Sequence, residues 1–249
     1  MENALILAGI DMTSLTEEQK AELAQVMNNE LEISRTGMTL RPTRIKINKD
    51  SCSFVDPFGR TLDELKGVVI YKQKTRGLWE KGNNMPLCSS IDGVTGMSAE
   101  KEKRLCANCQ FDAWGSGRDE NGNPTKGKAC KEMRRAFILL NGGFLPVVVT
   151  FPPTSLGAYD EYFSARIADG IPDIAAETIF RLVPQKSGAG FSYAQVQCKM
   201  GAKVAGADIL RYSKLRNDIK AFAESMDVEG DEYMQGNDQG ETVDPFATA

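Results

Sequence analysis

A segment of 60 residues, from 76 to 135, separates two groups of strand-like sequence and constrains the fold more than any other feature. It has no convincing run of alternating apolar and polar residues, and it is rich in glycine and charged side chains. The strands before and after it must still pair with each other to bury their apolar faces. The segment is therefore predicted to be a loop-rich addition to a β-core, and it is called the insertion below.

Strand-like alternation of apolar and polar side chains occurs on both sides of the insertion. The predicted strands lie at 43–48, 52–55, 67–75, 136–141, 145–151, 177–183 and 191–200. Asn141, Gly142 and Gly143 separate two of these strands and are typical of a hairpin turn. Most neighbouring strands are therefore expected to run antiparallel.

Four of the six cysteines fall in the insertion, namely Cys88, Cys106, Cys109 and Cys130. Four thiolates complete a tetrahedral zinc site, and Cys106 and Cys109 have the two-residue spacing of a zinc knuckle. A polar segment without its own apolar core also needs an internal crosslink to hold a shape. The sequence thus predicts zinc, with an iron–sulfur cluster or unligated thiols as alternatives. Cys52 and Cys198 lie in predicted strands, where we expect small core residues.

Helical periodicity predicts three helices, at about 15–33, 155–169 and 207–226, and Ser14 and Glu17 are placed as a capping box for the first. The predicted organisation is an N-terminal helical segment at 1–40, a β-core with its C-terminal helix at 41–226, and a disordered acidic tail at 227–249. The expected fold class is α+β: a small antiparallel β-barrel, similar to the oligonucleotide-binding (OB) fold, with a zinc-stapled loop insertion at 76–135 and flanking helices. Small sandwiches give similar patterns.

Several function classes are disfavoured by what the sequence lacks. The chain has no histidine, which argues against triad hydrolases and histidine-dependent metalloenzymes. "GNPTKGKA" (122–129) has P-loop spacing but neither the Ser or Thr hydroxyl nor a preceding strand, so ATP binding is not expected. No carboxylate cluster with a lysine suggests a metal-dependent nuclease. We therefore expect a protein that is not an enzyme.

The sequence shows no sign of membrane insertion or secretion. No apolar run approaches the roughly 18 residues of a membrane span. The apolar run "ALILAGI" has only seven residues and no basic residue before it, so a secretory signal is not expected either. Cysteines in an intracellular protein are more often reduced than paired, which favours metal over disulfides.

Basic and aromatic residues interleave between 41 and 135, where 19 Lys and Arg stand against 12 Asp and Glu. Rings that stack on unpaired bases, beside cations that meet phosphates, are typical of proteins that bind single strands without sequence preference. The candidate nucleic-acid-binding residues are Lys72, Lys74, Arg76, Trp79, Lys81, Phe111, Trp114, Lys126, Lys128, Arg134 and Arg135. Trp79 and Trp114 lie in polar, glycine-containing segments, so they are the preferred stacking residues, with a cover over the metal site as the alternative.

The tail at 227–249 holds seven acidic residues and no basic one, which leaves 30 basic against 27 acidic residues in the rest of the chain. On composition alone it fits a solubilising terminus. Its end, "ETVDPFATA", resembles the acidic tip of bacterial single-stranded DNA-binding proteins, which docks on replication and repair proteins. The matching residues are Asp244, Pro245 and Phe246, although three residues follow the phenylalanine here, whereas it is normally the last residue in that family.

The segments "PLCSS", "CANCQFDAWGS" and "KGKACKEMRR" are also similar to single-stranded DNA-binding proteins of tailed bacteriophages. This resemblance implies binding of single-stranded DNA in phage replication or recombination, in the cytoplasm of a bacterial host. It also implies replication or recombination proteins as partners of Asp244, Pro245 and Phe246. The alternative is a zinc-containing phage adaptor that binds a host recombinase or polymerase.

Overall fold

The computed structural model describes residues 13–35, 41–80, 83, 85–118, 122–141, 143–186 and 192–228. Within these residues the chain is mixed α+β. The helices are α1 (Glu17–Arg35), α2 (Leu156–Ala168) and α3 (Gly206–Ser225). The strands are β1 (Arg44–Asn48), β2 (Ser53–Val55), β3 (Thr61–Leu62), β4 (Glu64–Leu78), β5 (Cys88–Ser90), β6 (Thr95–Ser98), β7 (Lys103–Leu105), β8 (Lys131–Leu140), β9 (Val147–Phe151), β10 (Ala176–Lys186) and β11 (Ser192–Lys203). None of the described helices is long and apolar enough to cross a membrane.

The eleven strands form one sheet with the path β3-β2-β1-β9-β8-β4-β5-β6-β7, and the hairpin of β10 and β11 branches from β4. All pairs are antiparallel except β1 with β9, where Ile45 lies opposite Val149. β4 pairs with β8 along most of its length. Its other edge is divided, because β10 pairs with its first residues and β5 with its last.

The prediction of a closed, OB-like barrel is wrong, because the sheet is open. The divided edge of β4 makes the sheet fork where a barrel would close. The sheet is nevertheless curved, since one apolar cluster combines residues of β1 and β2 with residues of β10 and β11. Strand alternation could not reveal the fork, because it does not show which strands become neighbours.

Two apolar clusters cover the two faces of the central strands. On one face, Val69 of β4 and Phe151 of β9 pack with Tyr159 and Phe163 of α2. On the other face, Ile70 of β4 and Val148 of β9 pack beneath α3. Burial on both faces explains the uninterrupted apolar run Val68–Ile70, which an exposed sheet would not tolerate.

The predicted elements outside the insertion are all present, with bounds shifted by a few residues. The capping box of α1 is displaced by two residues: the Thr16 amide donates to Gln19 Oε1 (2.9 Å), and the Gln19 amide donates to Thr16 Oγ1 (3.2 Å). Ser14 and Glu17 were the wrong pair, because the helix begins one residue after Thr16. Within the insertion, the structure adds the short strands β5, β6 and β7, which the sequence did not predict.

The insertion contributes no side chain to either apolar cluster of the described residues. It leaves the sheet after β4 and returns at β8, and its own ends extend both strands, so that Gly77 lies opposite Lys131. The insertion is therefore held to the core mainly through this strand pair, and its own internal contacts must fix the rest of its shape.

Candidate metal and nucleic-acid site

The short strands of the insertion bring its four cysteines to one place. Cys88 begins β5, Cys106 directly follows β7, and Cys130 directly precedes β8. Backbone bonds hold the connecting loops: the Cys106 amide donates to the Val94 carbonyl and the Cys130 amide to the Phe111 carbonyl, both at 2.8 Å. Together with Cys109, the three line one cavity of about 250 Å3.

Gly96 of β6 explains how the sulfur atoms fit. A Cβ atom at this position would lie 3.0 Å from Sγ of Cys88 and 3.7 Å from Sγ of Cys106. Two of the thiols therefore lie beside the same point of the backbone, and glycine leaves room for them. All four cysteines are free thiols; Cys106 is buried and the other three are half-buried.

The clustered thiols do not form a metal centre as they are placed. Within the described residues, no group of three or more His, Cys, Asp and Glu side chains is arranged so that it could hold a metal ion. The common cavity agrees with the predicted grouping of Cys88, Cys106, Cys109 and Cys130, but zinc itself stays a prediction.

Burial raises the pKa of two of these thiols. The pKa of Cys130 rises to about 12 because desolvation outweighs the opposing effect of the Arg76 charge. Burial, with the charges of Cys106 and Cys109, also raises the pKa of Cys88. Cys88 and Cys130 are therefore protonated at neutral pH in the metal-free protein, and a bound metal would have to displace these protons.

Arg76 lies beside the thiols at the centre of a charged network. Its guanidinium is only 8% exposed and forms ion pairs with Asp112 (2.6 Å) and Glu132 (2.8 Å). Asp112 also accepts a hydrogen bond from Lys128 (3.0 Å). Burial alone would raise the pKa of Asp112, but Lys128 and Arg76 outweigh it and lower the pKa. The carboxylate thus stays ionised and neutralises two of the predicted DNA-binding cations.

Glu132 extends the network across β8 and towards α2. It pairs with Lys74 (3.0 Å) and Arg134 (2.9 Å). Arg134 also donates two hydrogen bonds to the carboxylate of Asp160 in α2, at 2.8 and 2.6 Å. Lys74, Arg76 and Arg134 lie on one face of the sheet, as the alternation predicts, but each faces a carboxylate.

Two further predicted cations lie away from the insertion surface. Lys72 pairs with Asp173 (3.0 Å), and its ammonium lies 3.8 Å from the centroid of the Phe163 ring. Arg135 is fully buried and donates to the backbone carbonyl of Asp227 (2.9 Å). Because successive strand residues face opposite sides, Arg135 lies beneath the sheet while Arg134 lies above it. Arg135 therefore presents no charge to a phosphate in this structure.

The aromatic candidates differ in exposure. Trp114 is 68% exposed, and the Lys128 ammonium lies 5.2 Å from the centroid of its ring. The Gly115 amide contacts the carbonyls of Lys126 (3.2 Å) and Gly127 (3.0 Å), so the strand of loop that carries Trp114 runs beside the one that carries both lysines. The structure thus brings together an exposed ring and two cations.

Trp79 and Phe111 are less accessible than Trp114. Trp79 is half-buried and folds over Gly77, where any side chain would collide with the indole ring. Phe111 is also half-buried and lines the cavity of the thiols. The remaining predicted residues, Lys81 and the tail residues Asp244, Pro245 and Phe246, lie outside the described residues.

Sequence reasoning missed the carboxylates of this site, Asp112 and Glu132. The signal was weak, because Asp112 is one acidic residue in a loop and Glu132 is surrounded by basic residues. Only the strand register reveals their role: Glu132 lies directly opposite Arg76. The chain matches no protein-family model, no curated protein and no solved structure. A proposal for its function therefore depends on the geometry of the site.

Proposed function

We propose that this protein binds single-stranded DNA without sequence preference and acts in DNA replication or recombination, most plausibly of a phage. The observation that carries the proposal is the pairing of an exposed Trp114 ring with Lys128 on a polar loop. In this arrangement a base stacks on the indole and the lysines 126 and 128 meet the phosphates. Binding alone is the mechanism, and no catalytic step is proposed.

The proposal includes zinc bound by Cys88, Cys106, Cys109 and Cys130. Its support is the common cavity, the free thiols and the close approach of Cys88 and Cys106 to Gly96. Four thiolate ligands are the donor set of structural zinc sites. Such a crosslink would brace the loop of Trp114, because Cys130 is hydrogen-bonded to the same loop through the Phe111 carbonyl.

The ion pairs of Lys74, Arg76 and Arg134 set the expected salt dependence. These cations already face Asp112, Glu132 and Asp160, so they offer little uncompensated charge to phosphates. For single strands, the logarithmic salt slope is about 0.7 for each neutralised phosphate. If only Lys126 and Lys128 act, the slope is about 1.4, which is shallow for this class of protein.

The test is a fluorescence titration of a labelled single-stranded oligonucleotide with Trp114→Ala and with Trp79→Ala as the matched control. Loss of one stacking contact costs about 1–3 kcal/mol, so Trp114→Ala is expected to weaken binding about 5- to 150-fold. Trp79→Ala is expected to bind almost normally if it stays folded, because its ring packs on Gly77. Normal binding by a folded Trp114→Ala variant would contradict the proposal.

One observation favours the second candidate, a zinc-containing adaptor that binds a host recombinase or polymerase. The insertion exposes several large apolar side chains, namely Met85, Leu87, Val94, Met97 and Leu105. Exposed apolar patches are typical of protein interfaces. Wild-type protein that does not bind single-stranded DNA at any salt concentration would favour this candidate over the first.

A further inference from the structure

The turn between β2 and β3 is locked by one carboxylate. Asp56 is largely buried, and its Oδ1 accepts hydrogen bonds from the amides of Phe58 (2.9 Å) and Arg60 (2.8 Å). Its Oδ2 accepts a third bond, from Nε of Arg60 (2.6 Å). The side chain of Asp56 thus fixes both the backbone of the turn and the guanidinium of Arg60.

The backbone closes the same turn independently. The Asp56 amide donates to the Arg60 carbonyl (3.0 Å), and the Gly59 amide donates to the Asp56 carbonyl (2.9 Å). Gly59 has φ of +78°, a conformation that glycine adopts without strain. Pro57 further restricts the chain. The position of residue 58 is therefore well determined.

Phe58 points away from both apolar clusters. Its side chain is 83% exposed, the highest value among the large apolar residues of the described chain. The guanidinium carbon of Arg60 lies 5.4 Å from the centroid of the ring. Within the described residues, Asp56 binds only Nε of Arg60, and the two Nη groups have no hydrogen-bond partner. A rigid turn thus presents an exposed ring beside an available cation.

The turn lies at the opposite end of the sheet from Trp114. β1 runs parallel to β9 and β2 runs antiparallel to β1, so the chain after Val55 lies near the end of the sheet where β9 begins. The insertion leaves from the other end, after Leu78. The ten residues of β4 from Gly67 to Gly77 alone span about 33 Å at 3.3 Å per residue.

We propose that Phe58 and Arg60 form a second contact for single-stranded nucleic acid, in which an unpaired base stacks on the Phe58 ring and a phosphate meets the Nη groups of Arg60. This inference rests on the proposed function, because it assigns a second part of the same strand to the far end of the sheet. Ring and cation are the combination that single-strand binding uses. The rigid turn holds the ring in place before the ligand arrives, which lowers the entropy cost of binding.

The separation of the two contacts gives a length-dependent test with the full chain. Oligothymidylates of about 6 and about 30 nucleotides span about 20 and 100 Å at about 3.4 Å per nucleotide, so only the longer one reaches both contacts. Phe58→Leu removes the ring, Phe58→Tyr keeps it, and Leu210→Ala of α3 is the control for loss of an exposed apolar side chain.

Phe58→Leu is expected to weaken binding of the longer oligonucleotide about 5- to 150-fold, whereas Phe58→Tyr is expected to bind as wild type does. In a Trp114→Ala background, the short oligonucleotide is expected to become sensitive to Phe58→Leu. Unchanged affinity of Phe58→Leu for the longer oligonucleotide, with Trp114→Ala still weakened, would overturn the inference and leave the proposed function intact. If wild type binds neither oligonucleotide, both fall, and the exposed ring is then a candidate anchor for a protein.

Discussion

At the scale of single residues, Asp56 gives a prediction that depends on pH. Burial would raise the pKa of its carboxyl, but the Arg60 amide and guanidinium and the Phe58 amide outweigh this and lower the pKa below the ordinary value of 3.8. A carboxyl with a lowered folded pKa stabilises the folded state above the unfolded pKa. That contribution is lost as the pH falls through the lowered folded value.

NMR provides the measurement of this pKa. The amide proton shifts of Phe58 and Arg60 are expected to titrate together between pH 7 and 2, with a common midpoint below 3.8, because both amides donate to the same oxygen. In Asp56→Asn this transition is expected to disappear. A midpoint at or above the ordinary value would show that the turn is not held in this way.

The limits of sequence reasoning at this scale are clear from two pairs of residues. Trp79 and Trp114 both lie in polar segments, yet one folds over Gly77 and the other is exposed. Arg134 and Arg135 are neighbours, yet only the second is fully buried. Composition identified the basic and aromatic region, but the exposure of each side chain depends on the face of the strand and on what packs there.

At the scale of elements, the insertion gives a prediction about metal. Protein made under reducing, chelator-free conditions is expected to carry about one zinc ion, and Cys109→Ser is expected to release it. Residues 88–130 are then expected to become sensitive to protease, because no apolar cluster holds them. The two clusters of the core are expected to survive, with little change in far-UV circular dichroism.

Cys52→Ser is the matched control for this experiment. Cys52 is also a half-buried free thiol, but it packs at the edge of the first apolar cluster and its sulfur donates to the Lys49 carbonyl. The control variant is expected to retain its zinc. Absence of zinc from the wild-type protein, or equal loss from both variants, would contradict the four-thiol assignment.

Most elements of the core could be predicted, because their alternation reports which side chains are buried. β5, β6 and β7 could not, since each has only three or four residues and Ser, Gly and Lys occupy most of their positions. The grouping of the four thiols was predictable from their spacing and composition. Its internal form was not, because that form depends on Gly96 and on the pairing of these short strands.

At the scale of the whole molecule, the acidic tail gives a prediction about competition. The described chain ends with Val228, which is 1% exposed, and the Asp227 carbonyl accepts the Arg135 bond. A truncation should therefore keep both residues and remove 229–249, which contain six acidic residues and no basic one. A flexible segment of this length has an r.m.s. reach of about 25 Å, so it could return to the body of the protein.

Removal of 229–249 is expected to tighten binding of single-stranded DNA at low salt, because the tail competes electrostatically for the same cations. The difference is expected to shrink as salt rises and screening increases. Phe246→Ala, which keeps every charge, is the control and is expected to leave DNA affinity unchanged. Equal affinity of the truncated and full chains at low salt would reduce the tail to a solubilising terminus.

The overall topology was the least predictable property. Alternation indicated an α+β chain with a strand-rich core, and this is confirmed. It could not distinguish a closed barrel from the open, forked sheet, because closure depends on how β4 divides its edge between β5 and β10. The parallel pairing of β1 with β9 was equally hidden, since no local signal records it.

That parallel pair also orders events in time. Ile45 and Val149 lie about 100 residues apart along the chain, whereas β8 with β9 and β10 with β11 join across short connections. Closing a long loop is costly and slow compared with forming a hairpin. During synthesis, β1 leaves the ribosome long before its partner β9 exists, so the first strand waits unpaired while the middle of the protein is made. The N-terminal strands are thus the last part of the sheet to be joined to it.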